Sequence, residues 1–247
     1  MCRHLAYLGP PVPLSALLFD PPHGLGHQSW APRDMRGGGT SNADGFGVGW
    51  HTPAGPVRYR RATPLWSDAS LPGIAATTSA GSVLAAVRSA TAGMPVTETA
   101  AAPFADGPWL FSHNGVVRGW PGSVAKLAGT LPVTDLLTLD APTDAALLWA
   151  LVRSRLRDAA APAEAMASAI AEVESTAPGS RLNLLLTDGT TIVATTAGHA
   201  LSVRHDGRSV LVSSEPLDDD PAWQAVDDRT LLVAGPDGLR LTSLGDA

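Results

Sequence analysis

Apolar residues along this chain change period twice, and those changes divide it into three stretches. The first, to about Phe111, carries short apolar runs of strand length. Cys2 to Leu8 reads as a strand and Leu14 to Phe19 as a turn or two of helix. Gly45 to Trp50 and Val57 to Arg60 read as strands paired across Pro53-Ala54-Gly55, and Val83 to Val87 and Trp109 to Phe111 as further strands. Between them, Pro21 to Ala43 is irregular, rich in Pro and Gly, and includes Gly37-Gly38-Gly39. A loop of that length in a compact domain is commonly functional or mobile.

The second stretch has helical period. Leu147, Leu148, Leu151, Val152 and Leu156 recur at helical spacing behind Thr143, a natural N-cap, and a second helix is expected from Pro162 to about Glu174. In the third stretch the strand period returns, with hairpins signalled by Asp188-Gly189 and Asp206-Gly207 and a strand pair around Pro236-Asp237-Gly238. Strands, a helical pair and strands again, without βαβ alternation, predict an α+β fold of antiparallel sheets covered by helices. No internal repeat or linker divides the chain, so a single domain over residues 1–247 is expected.

Composition narrows the partners. Of 247 residues, 45% are hydrophobic and 16% charged, with a formal net charge of −6 and a pI near 5.5. An acidic chain without a Lys/Arg block does not predict a nucleic-acid or acidic-membrane surface. The densest basic cluster, Arg58, Arg60 and Arg61, reads as a solvated strand face. No run approaches the ~18 apolar residues of a membrane span, and the N-terminus does not read as a signal peptide, so a cytoplasmic location is expected. A lone cysteine excludes an internal disulfide and multi-cysteine metal sites, and no cofactor or metal is expected. His23 and His27 stand at i, i+4 but with glycines between, which suits a loop better than a metal-binding helix. Asp218-Asp219-Asp220 reads as a solvated turn.

Four features carry possible chemistry. Cys2 could be a small buried hydrophobe. It could also be a nucleophile, because removal of Met1 would leave a free α-amine on the residue that bears the thiol. With a pKa of roughly 7.7–8.0, that amine can serve as the general base. In Phe111-Ser112-His113-Asn114-Gly115, the Asn-Gly pair reads either as a turn or as an oxyanion hole, made by the Asn114 amide and the Gly115 backbone N–H. Arg88, at the end of a strand, is the residue type that grips a carboxylate with two parallel hydrogen bonds. Asp144 in the first helical turn suits the helix dipole, and equally suits a substrate ammonium group.

Their order is more specific than any one of them. Cys2, then Asn42-Ala43-Asp44-Gly45-Phe46-Gly47, Arg88 with Thr91, His113-Asn114-Gly115, Thr143-Asp144 and Ser213-Ser214-Glu215-Pro216-Leu217 resembles the class II glutamine amidotransferases, a family of N-terminal-nucleophile hydrolases. The opening Cys2-Arg3-His4-Leu5-Ala6-Tyr7-Leu8-Gly9, with Asp20 to Leu25 and Gln28 to Arg33, resembles the family's γ-glutamyl hydrolase branch of ergothioneine biosynthesis, which acts on γ-glutamyl-hercynylcysteine sulfoxide. The resemblance implies a four-layer αββα sandwich and a small-molecule γ-glutamyl substrate. It implies Cys2 as nucleophile with Asn114 and Gly115 as oxyanion donors. Arg88 and Asp144 would hold the glutamyl carboxylate and ammonium, and Thr91 and His113 would complete the pocket.

Glutamine-using synthases carry Trp and His where this chain has Ser89 and Ala92, and Ala100-Ala101-Ala102 replaces more polar residues. With no second domain after Ala247 to receive ammonia, hydrolysis is expected over ammonia transfer. The alternatives are a glutaminase subunit feeding a partner synthase and a γ-glutamyl-compound binding protein. Trp30 and Arg33 in the long loop are candidates for contacting the leaving half.

Overall fold

A computed structural model describes residues 2–34, 41–235 and 238–245. The Gly37-Gly38-Gly39 stretch and the Pro236-Asp237 turn fall outside them. Two antiparallel sheets stack face to face with helices outside each, the expected four-layer αββα sandwich.

The first sheet runs β11 (Gln224–Ala225), β9 (Ser202–His205), β10 (Val210–Ser213), β1 (Arg3–Pro13), β4 (Ser79–Val87), β2 (Phe46–Thr52), β3 (Gly55–Arg61). The second runs β13 (Gly238–Ser243), β12 (Thr230–Gly235), β8 (Ile192–Thr195), β7 (Arg181–Thr187), β6 (Trp109–Val116), β5 (Phe104–Asp106). Both Asp-Gly hairpins form, pairing Thr187 with Ile192 and His205 with Val210.

Strand β1 is flanked by β4 and β10, and its side chains alternate between two cores. Leu5 and Tyr7 pack outward under the short helices α1 (Ser15–Leu18), α2 (Leu25–Gln28) and α3 (Leu71–Thr77). Ala6 packs inward with Leu84, Leu110 and Leu185 between the sheets. The strand outruns its expected end at Leu8. Pro10, Pro11 and Pro13 are accommodated because pairing to β10 stops at Leu8 and the register against β4 shifts before Val12.

The second sheet's outer face is covered by α4 (Ala125–Ala128), α5 (Val133–Leu137), α6 (Asp144–Arg157) and α7 (Pro162–Thr176). Helix α6 starts where the Thr143 hydroxyl accepts the Ala146 N–H at 3.2 Å, and it buries Trp149 stacked on Phe111.

One alternative falls away and two readings are corrected. Of the two readings of Asn114-Gly115 the turn is excluded: β6 continues through it, with Asn114 opposite Asn183 and Gly115 opposite Leu182. His27 lies in α2 rather than in a loop, and its Nδ1 is 2.9 Å from Nδ1 of the buried His23. The basic face of β3 is not simply solvated: Arg58 donates to the Pro103 carbonyl at 3.2 Å and Arg60 to that of Ala101 at 3.3 Å. These bonds tie residues 101–103 against the first sheet, where a Cβ on Gly47 would stand 2.2 Å from the Ala102 carbonyl oxygen. No described helix is long and apolar enough to cross a membrane.

Candidate active site

Where the ends of β1, β4, β6 and α6 meet, one cavity is lined by Cys2, Arg88, Thr91, His113, Gly115 and Asp144. These are six of the seven residues singled out from the sequence. Phe46, Met94, Ala100, Ala102 and Phe104 form its apolar walls. Alanines at 100 and 102 therefore keep the wall thin where longer side chains would fill the space.

Cys2 precedes β1, half-buried, with its thiol 3.8 Å from the Ser89 carbonyl oxygen. That contact uses backbone, so it leaves the side chain at 89 free to vary. The turn that follows β4 is locked to the Asp44-Gly45 motif. Arg88 donates its N–H to the Gly45 carbonyl and accepts the Asp44 N–H, and the Asp44 carboxylate accepts the Ala90 N–H at 2.8 Å. One Arg88 Nη donates to the Pro95 carbonyl at 2.8 Å, which leaves its other donors for a ligand.

Asp144 is buried. One carboxylate oxygen accepts the Val117 N–H at 3.0 Å and the other accepts the Ala145 N–H at 2.8 Å. A guanidinium and a carboxylate thus border one small cavity, the pattern that a zwitterionic amino-acid head requires.

Alternation along β6 divides the His113-Asn114-Gly115 motif. His113 and Gly115 border the Cys2 cavity, and the His113 Nε2 stands 3.0 Å from the Arg181 carbonyl oxygen. Asn114 points between the sheets. It borders a smaller neighbouring cavity with Arg3, Asp34, His199 and Ser214, and its Nδ2 donates to Ser214 Oγ at 3.3 Å. Gly115 is required by packing: a Cβ there would lie 1.9 Å from the Arg181 carbonyl oxygen and 2.6 Å from His113 Nε2.

Sequence reasoning missed the support beside Cys2. Arg3 donates through Nε to Glu215 at 2.7 Å, through Nη1 to the Cys2 carbonyl at 3.0 Å, and through Nη2 to the Asp34 carbonyl. Glu215 also receives His23 Nε2 at 2.6 Å and the N–H groups of Arg33 and Asp34. Burial pushes this carboxyl upward, but the bond to His23, the Arg33 N–H, the Arg3 charge and the Asp34 N–H outweigh it and bring the pKa down to about 2. The sequence signal for this support is the Ser213-Ser214-Glu215 run, whose glutamate lies between apolar residues of β10 and Leu217.

His4 and His199 are neutral in this site. Burial is the main cause, with Arg3 beside His4 and Arg181 and Arg3 beside His199 adding to it, and it lowers each pKa to about 3. Arg181 Nε donates to His199 Nε2 at 3.0 Å, which a protonated nitrogen could not accept.

Trp30 is 53% exposed and stands edge-on to His27, away from the Cys2 cavity. Arg33 borders a groove with Asp34, His199 and Ser214, and its side chain pairs with Asp219 at the surface. Asp218 accepts the Trp223 indole N–H at 2.7 Å and pairs with Arg204. No cluster of His, Cys, Asp and Glu suited to a metal occurs among the described residues.

Comparisons agree with this geometry. The sequence pattern of glutamine amidotransferases class-II matches residues 14–206. A protein of Mycolicibacterium smegmatis named gamma-glutamyl-hercynylcysteine sulfoxide hydrolase is 45% identical over 94% of this chain and 95% of its own. One of the same name from Mycobacterium tuberculosis is 41% identical over 100% of this chain and 98% of its own. Among solved structures, a glutamine aminotransferase class-II domain protein from Silicibacter pomeroyi superposes with a TM-score of 0.72 at 25% identity, covering 98% of this chain and 99% of that one. The glutamine phosphoribosylpyrophosphate amidotransferase of B. subtilis shares the fold at a TM-score of 0.69 and 14% identity, with 98% of this chain on 49% of that one. With the family pattern spanning most of its length and its full-length relatives above 40% identity, this chain belongs to the class II glutamine amidotransferases.

Proposed function

We propose that this protein hydrolyses the γ-glutamyl amide of γ-glutamyl-hercynylcysteine sulfoxide, releasing glutamate and hercynylcysteine sulfoxide. The observation that carries the reading is the single cavity in which the Cys2 thiol, the Arg88 guanidinium and the Asp144 carboxylate converge. The name shared by two full-length relatives supplies the leaving half.

In this mechanism Met1 has been removed. The Cys2 α-amine takes the thiol proton as the sulfur attacks the γ-carbonyl carbon. The oxyanion is held by the Asn114 side-chain N–H and the Gly115 backbone N–H, while Arg88 grips the α-carboxylate and Asp144 the α-ammonium. Collapse passes the proton to the departing amine and leaves a thioester on Cys2. Water, deprotonated by the same α-amine, cleaves that thioester to free glutamate and regenerate the thiol. Thr91 and His113 shape the glutamyl pocket.

Intact-mass measurement followed by assay of the wild type and Cys2→Ala tests this. The wild type should lack the initiator methionine and turn over the γ-glutamyl sulfoxide in preference to glutamine, while Cys2→Ala is inactive. Activity surviving in Cys2→Ala refutes the mechanism. A preference for glutamine refutes the substrate.

A further inference from the structure

A hydroxyl between the sheets is saturated in a way that fixes the direction of its neighbour. Ser214 Oγ accepts the His4 backbone N–H at 3.0 Å and donates its proton to the His4 carbonyl at 3.2 Å. A serine hydroxyl has one proton and two acceptor positions, so one acceptor position is left. Only a donor can fill it, and the Asn114 Nδ2 does so at 3.3 Å. With the ends of the Asn114 amide exchanged, its oxygen would have to draw the hydroxyl proton away from the His4 carbonyl, which the Ser214 backbone N–H also reaches at 2.9 Å.

Among the described residues this is the one hydrogen bond of the Asn114 side chain, whose Oδ1 is buried without a partner. Asn114 is 1% exposed and Ser214 3%, so bulk water cannot substitute for the contact. The hydroxyl's two other bonds go to His4, two residues beyond Cys2 on the strand that carries the nucleophile.

Resting on the mechanism proposed above, we infer that Ser214 is a positioning residue for hydrolysis. It orients the Asn114 amide so that its NH2 end serves the oxyanion, and it ties that donor to the strand bearing Cys2. One amide hydrogen is held by Ser214 and the other is free for the oxyanion. The Ser213-Ser214-Glu215 segment thereby works in two directions, with Glu215 holding Arg3 outside the first sheet and Ser214 holding Asn114 between the sheets.

The test combines kinetics with a readout that needs no activity. Ser214→Ala should lower kcat on the order of 10- to 100-fold with KM changed less than twofold, short of the 10²- to 10³-fold typical of deleting an oxyanion donor outright. Ser214→Thr, which keeps the hydroxyl, should recover most of that loss. In an Asn114→Ala background the further substitution of Ser214 should cost nothing, because its effect passes through Asn114. In NMR spectra, the Asn114 side-chain amide protons should be slow to exchange in the wild type and fast in Ser214→Ala. Equal losses in both backgrounds, or an Asn114 amide signal unchanged by Ser214→Ala, would overturn the inference. Failure of the proposed function is a different result: the amide signal responds to Ser214→Ala while wild type and Cys2→Ala turn over the γ-glutamyl sulfoxide equally.

Discussion

Arg3, the residue after Cys2, and Glu215 form an ion pair at 2.7 Å with both side chains at least 96% buried. Glu215 is ionised against its burial because four donors converge on it, so the pair is a clamp joining the start of β1 to the 23–34 loop and the end of β10. Removing a partner from such a buried pair costs far more than the pair itself contributes.

The first expectation concerns that clamp. The Glu215 pKa falls from its ordinary 4.5 to about 2, so its stabilisation is present above pH 4.5 and is lost as pH falls from there toward 2. A fall of that size corresponds to on the order of 3 kcal/mol at neutral pH. Urea unfolding of Glu215→Gln at pH 7 should show a loss of that order, with an acid limb flatter than the wild type's below pH 4.5.

Two buried histidines act on a higher pH window. His4 and His199 fall from 6.5 to about 3, so the unfolded chain binds protons that the folded chain refuses. Their stabilisation is complete above pH 6.5 and declines as pH falls through that value toward 3. The wild type should therefore begin losing stability below pH 6.5, earlier than Glu215 alone would dictate. His199→Gln keeps an acceptor for Arg181 and should remove on the order of 1 kcal/mol of the loss between pH 6.5 and 5. Denaturant midpoints measured across that range decide the point.

Gly115→Ala tests close packing behind the oxyanion strand. The added carbon would meet the Arg181 carbonyl and the His113 ring together, and neither the backbone of β7 nor a buried imidazole can yield cheaply. A stability loss above about 2 kcal/mol, with activity reduced at least 100-fold, is expected. A normal melting temperature would contradict it.

The charges at the glutamyl end should separate from the chemistry. Arg88→Lys loses the planar fork, because its one ammonium must choose between the Pro95 carbonyl and the substrate carboxylate. It should lower kcat/KM about 100-fold while the melting temperature moves little. Asp144→Asn keeps an acceptor for one backbone N–H but loses the charge opposite the substrate ammonium and at the start of α6. It should lower kcat/KM by a similar factor and also destabilise by about 1 kcal/mol. Saturation kinetics and thermal melts on both variants separate these outcomes.

Much of the secondary structure was legible because it depends on near neighbours. The Thr143 cap, the 3.6-residue spacing that follows it and the Asp-Gly hairpins are local signals, and each element formed where those signals lay. The end of β6 was not legible, because Asn-Gly looks like a turn until β7 lies alongside it. The role of β3 was also hidden: Arg58 and Arg60 look solvated until residues 101–103 arrive more than 40 positions later to accept their hydrogen bonds.

By itself the sequence determined the family and the order of the elements, and it singled out the candidate reactive groups, since these rest on residue types at fixed places in the chain. It could not show which groups share a cavity. Strand alternation in a paired sheet decided that His113 and Gly115 line the Cys2 cavity while the Asn114 side chain lines the adjoining one beside Ser214, 100 residues distant. Only the stacking of two sheets brings β6 against β1 and β10. The hydrogen bond that orients Asn114 arises from that stacking, and those that keep Glu215 ionised come from residues 23–34 folding over the first sheet, not from any local run of residues.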